Sequence, residues 1–146
     1  MENNKKNLKV MSILILALAV YSFVRLVLSV IMIDFNPENL AEGVSADLLL
    51  VGQIFVCVVG FILLLPQIFV GIRGIKVSNK PDSSKAHIVW AVILAVFSVI
   101  GIFTPVSELI RGVDVVGNVF ASLDMALDVI IYIEYINFAN KVMKAA

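Results

Sequence analysis

Four long apolar runs, Val10–Ile33, Ala46–Ile72, Ala86–Thr104 and Val113–Phe138, occupy most of this 146-residue chain. A helix rising about 1.5 Å per residue needs roughly 20 residues to cross a hydrocarbon core of about 30 Å, and each run is close to that length or longer. The segments between them are too short to hold a soluble domain. Composition points the same way: 61% of the residues are hydrophobic and 15% charged, against roughly 45–50% and about 25% in soluble domains. The expected fold is an all-α membrane protein, a single four-transmembrane-helix bundle.

The net charge is zero, but the charges are unevenly placed. Lys5, Lys6 and Lys9 precede the first run. Arg73, Lys76, Lys80 and Lys85 lie between the second and third, and Lys141 and Lys144 follow the fourth. The link between the first two runs carries Asp34, Glu38, Glu42 and Asp47 without a base, while the last link sets Arg111 beside Glu108 and Asp114. Basic residues mark the cytoplasmic side, so both termini are expected in the cytoplasm of a cell-membrane protein. The first run exceeds the 7–15 residues, roughly, of a signal-peptide core and lacks a small-residue cleavage site, so it is expected to stay as a span.

The two halves of the chain resemble each other. Val51-Gly52-Gln53-Ile54-Phe55 aligns with Val116-Gly117-Asn118-Val119-Phe120, and the same offset superposes Lys76-Val77 on Lys141-Val142. Ile13–Ala19 resembles Ala91–Phe97 at another offset. Such matches suit a duplicated two-helix hairpin in parallel orientation, and apolar sequence also produces them by chance.

Helix punctuation is visible between the runs. Asn36-Pro37-Glu38 has the pattern of a short helix start, and Ser45 should cap the second span with Asp47 in its first turn. Asn79-Lys80-Pro81-Asp82 reads as a turn, with Asp82 or Ser83 capping the third span. Pro105 should break or kink that span, leaving Val106–Arg111 at the interface before Gly112 turns the chain.

Each span carries small or polar residues at helical spacing. They are Tyr21, Ser22, Arg25 and Ser29; Gln53, Cys57, Gly60, Gln67, Gly71 and Gly74; Ser98, Gly101, Pro105 and Glu108; and Gly117, Ala121, Asp124, Asp128 and Tyr135, with Asn118 beside the last set. Small residues let membrane helices approach and polar ones bond across the contact, so these stripes should face the bundle interior.

Within that pattern the ionisable residues stand out. Arg25 is about 8 residues from the end of its span, roughly 12 Å deep at 1.5 Å per residue. Asp124 comes in from the same side to a similar depth, with Asp128 one turn deeper. Two central aspartates disfavour insertion by roughly 5–7 kcal/mol, whereas each strongly apolar residue returns only about 0.3–0.6 kcal/mol. The fourth span therefore needs a partner, a water-filled cavity or a proton on one carboxyl. Arg25 suits Asp124, because a guanidinium pairs well with a carboxylate. Asp128 is left as the better candidate for the proton. The supporting polar residues would be Tyr21, Ser29, Gln53, Asn118 and Tyr135.

This cluster fits three roles: a salt bridge docking the fourth helix on the first, a proton- or cation-linked transport site, or a polar contact with a partner's membrane helix. Glu134 lies on another face near the interface, and His87 and Trp90 read as interfacial anchors. Cys57 is the only cysteine, so disulfide and paired-cysteine redox chemistry are excluded within the chain. No phosphate-binding loop, zinc spacing or nucleophile motif occurs. Neither enzyme activity, a cofactor, a metal nor nucleic-acid binding is expected. The chain should be an accessory or regulatory membrane protein acting through helix contacts, whose partners are the lipid bilayer, a second copy or another membrane protein. A proton- or cation-coupled small-solute transporter using Arg25, Asp124 and Asp128 is the alternative.

Overall fold

The computed structural model describes residues 2–31, 45–80 and 84–145, without the side chains of Ser29 and Ala46. The expected short helix at Asn36-Pro37-Glu38, the acids Asp34, Glu38 and Glu42, and the expected caps Asp82 and Ser83 lie outside the described residues. The structure is all-helical there: α1 (Glu2–Ile31), α2 (Ala46–Asn79), α3 (Ala86–Ile110) and α4 (Val115–Lys144). All four are long and apolar enough to cross a membrane. Their 30, 34, 25 and 30 residues correspond to lengths of about 45, 51, 37 and 45 Å.

The helices run up, down, up and down. Gly71 lies against Leu16 and Gly60 against Leu26, so α1 and α2 are antiparallel; Gly101 against Met125 sets α3 antiparallel to α4. These two hairpins make the most intimate contacts, and α1 joins them by packing on α4; α2 and α3 touch more loosely. The starts of α1 and α3 and the ends of α2 and α4 share one end of the bundle, called here the near end. The end of α1, the start of α2 and the α3–α4 turn share the far end.

Burial is concentrated at the near end. Leu8, Ile15, Val70, Val77, Ala91, Leu94, Tyr132, Tyr135, Ala139 and Val142 form one buried cluster, which also takes in Ile88. A close crossing organises it. Around Gly74 lie the Ser12 hydroxyl and the ring and hydroxyl of Tyr135, leaving no room for a methyl group. Ser12 donates to Leu8 O (2.6 Å) inside its own helix, and the Tyr135 hydroxyl donates to Val70 O across the interface (3.1 Å). Glycine lets side chains of α1 and α4 close onto the backbone of α2 here, as membrane-helix packing favours.

Several boundaries differ from the sequence expectation. α1 begins before Val10, and α2 and α4 run past Ile72 and Phe138, because polar residues continue these helices beyond their apolar stretches. α3 continues through Pro105 to Ile110. A proline inside a membrane helix is tolerated where neighbouring groups re-satisfy the freed carbonyl, and Pro105 is buried against the bundle. α3 starts after Lys85, whose side chain makes no capping bond. Ser45 does cap α2, accepting from Leu48 N at 3.2 Å. His87 is fully buried, edge-on to Tyr135 with ring centroids 6.0 Å apart, rather than anchored at an interface.

The α3–α4 turn is tightly specified. Gly112 has φ +72°, and the bonds Gly112 N to Leu109 O and Val113 N to Glu108 O close a Schellman motif. Asp114 follows with φ +34° and caps α4 by accepting from Gly117 N (3.2 Å). Its carboxylate sits where a Cβ on residue 117 would be, so Gly117 makes room for the cap.

Candidate functional site

Arg25 and Asp124 meet at the far half of the bundle. Arg25 Nη1 donates to Asp124 Oδ2 at 2.6 Å, linking α1 to α4. The contact is not enclosed: the Arg25 side chain is 54% exposed and Asp124 28%. On its other side the guanidinium lies 5.7 Å from the centre of the Tyr21 ring, within cation–π range. Asp128, one turn along α4 and half-buried, lies within electrostatic range of both Asp124 and Arg25.

The polar face of α4 continues toward the near end. Tyr132, one further turn along, interacts with Asp128 on one side and with Gln67 of α2 on the other. The buried Gln67 Oε1 and Tyr132 hydroxyl lack a well-formed hydrogen bond. Beside this ladder, between α1 and α2, is a cavity of about 340 Å³ lined by Ser22, Arg25, Gly60 and Gln67 among others. It runs from the ion pair to the level of Tyr132.

The supporting residues expected from the sequence divide. Tyr21 lies beside Arg25. Ser29 belongs to α1, but its side chain lies outside the described residues. Gln53 Nε2 points along its own helix to Cys57 Sγ at 3.9 Å. Asn118 is turned to the α3–α4 link, where Nδ2 donates to Val113 O (2.9 Å). Tyr135 belongs to the near-end crossing. Gln67 and Tyr132 were not singled out as site residues. Their spacing offered a clue, since Asp124, Asp128 and Tyr132 repeat every four residues on one face.

Among the described residues, no group of three or more His, Cys, Asp or Glu side chains is arranged to hold a metal ion. No family model, curated protein or solved structure matches the chain. The four candidate spans suggest a membrane protein, and the physical character of the site must carry anything more specific.

Proposed function

We propose that this chain is a small accessory or regulatory membrane protein that acts by docking a further membrane helix at its far half, around Arg25 and Asp124. The observation that carries this is the exposure of the ion pair. A guanidinium facing lipid at that depth is costly, and Arg25 is half-exposed despite its bond to Asp124. A helix from a second copy, or from another membrane protein, would cover the pair and supply further acceptors. The proposed role is non-catalytic and uses no cofactor. The lysines around the near end favour both termini in the cytoplasm and residence in the cell membrane. The repeated Val-Gly motif and two intimate hairpins are compatible with duplication of an α-hairpin.

A photo-crosslinking side chain at Val24 or Leu28, both exposed on α1 beside Arg25, tests this in native membranes. Protein adducts at twice the chain mass, or at another discrete mass, are expected. Adducts to lipid alone would sink the proposal.

The cavity beside Arg25 supports a second reading, a proton- or cation-coupled carrier centred on Asp128. In proteoliposomes it predicts substrate-driven proton or cation flux that Asp128→Asn abolishes without altering unfolding. Absence of such flux across a broad solute screen removes this alternative.

A further inference from the structure

α2 and α3 pack loosely, and the space between them is divided chemically along its length. Ile62, Leu65, Pro66 and Phe69 of α2 face Trp90, Ile93 and Phe97 of α3 across a groove of about 500 Å³ lined almost wholly by carbon. Toward the near end this groove meets a second cavity of about 380 Å³, which shares Phe69 and is otherwise lined by Ile72, Arg73, Lys76 and Ser84. One face of α2 thus changes from apolar to basic within a turn of Phe69.

From these two cavities we propose that the α2–α3 cleft is a binding site for one anionic phospholipid, with its phosphate at Arg73, Lys76 and Ser84 and an acyl chain along the apolar groove. The dimensions suit one leaflet. From Ile62 to Arg73 the helix rises about 16 Å, close to half of a hydrocarbon core of about 30 Å. The notch therefore falls at headgroup level when the groove lies in the acyl region. Its electrostatics suit a phosphate: two cations line it, and α3 begins at Ala86, two residues past Ser84, with no acidic residue in its first turn and no side-chain cap. The positive end of that helix adds to the attraction. A free anion would use the notch alone and leave the groove unexplained, whereas a lipid uses both. The site is separate from the proposed docking face and depends only on the chain spanning a bilayer.

The chain carries its own reporter, because Trp90 is the only tryptophan and lines the groove. The test reconstitutes the full chain in phosphatidylcholine vesicles and titrates in phosphatidylglycerol with brominated acyl chains, which quench indole fluorescence on contact. Half-maximal quenching should need about 25-fold less brominated phosphatidylglycerol than brominated phosphatidylcholine, since each of the two cations favours an anionic lipid by about fivefold. Lys76→Gln, at an exposed position, should reduce that preference by about threefold to fivefold. The Arg73→Gln/Lys76→Gln pair should remove it. Ile93→Phe should lower quenching by the anionic lipid by filling the groove while leaving the notch intact. Lys5→Gln/Lys9→Gln, at the same end but away from the notch, should change nothing.

Equal titrations for the two lipids overturn the proposal. So does a loss of preference in the Lys5/Lys9 variant as large as in the notch variants, which would mean a diffuse basic field. Quenching insensitive to Ile93→Phe removes the acyl chain from the groove, and relief by millimolar inorganic phosphate reassigns the notch to a free anion.

Discussion

At the near end, a methyl group added to Gly74 would collide with Ser12 and Tyr135; at the far end, one added to Gly52 would meet nothing within 4 Å. The same four helices thus build a tight junction at one end and a loose one at the other. The near end is held by interdigitated apolar side chains and by the hydrogen bond from Tyr135 to Val70 O. In the far half, α1 is joined to α4 by an ion pair open to its surroundings. The difference separates the end whose packing fixes the topology from the end that leaves polar groups open.

The largest effect should come from disturbing the tight end. Gly74→Ala is expected to destabilise the bundle by about 2–3 kcal/mol, because the obstructing atoms include a packed aromatic ring. Unfolding in mixed micelles with increasing denaturing detergent measures this. If Gly74→Ala proves neutral, the near end is not the rigid part of the molecule.

Next in size is the ion pair. Arg25→Leu and Asp124→Leu should each lose about 1–2 kcal/mol in the same assay. The double change should return to within about 0.5 kcal/mol of the original, since replacing both charges leaves neither unpaired. Persistent loss in the double variant would show that Asp128 or a bound partner also relies on Arg25.

Smaller still, Tyr135→Phe removes only the bond to Val70 O and should lose about 0.6–1 kcal/mol. Gly52→Ala should stay within about 0.5 kcal/mol of the parent. A large loss from Gly52→Ala would reveal a packed neighbour at the far end and erase the contrast between the two ends.

The four spans were legible because hydrocarbon-length apolar runs have few alternatives. Their ends were less so, since apolarity fades where a helix leaves the bilayer, and charged residues such as Lys76 and Lys141 continue it. The Arg25–Asp124 contact could be anticipated from depth alone, as both positions can be counted from the ends of their spans. The Ser12–Gly74–Tyr135 crossing could not. Depth gives a residue's level, but the rotation of each helix about its axis decides which neighbour it meets. Gly71 and Gly74 marked a close approach without naming what approached. His87 was misplaced for the same reason: its level suits an interface, but its side is turned inward.

The turn between α3 and α4 also ties a reluctant candidate span to a willing one. α4 is the least apolar of the four candidate spans and carries both intramembrane aspartates. Residues 111–114 join it to α3 through the Gly112 Schellman bonds and the Asp114 cap. With so short a connection, little polar backbone separates the two helices. The strongly apolar α3 and the less apolar α4 are thereby held as one hairpin, and Arg25 meets Asp124 where that hairpin packs on α1.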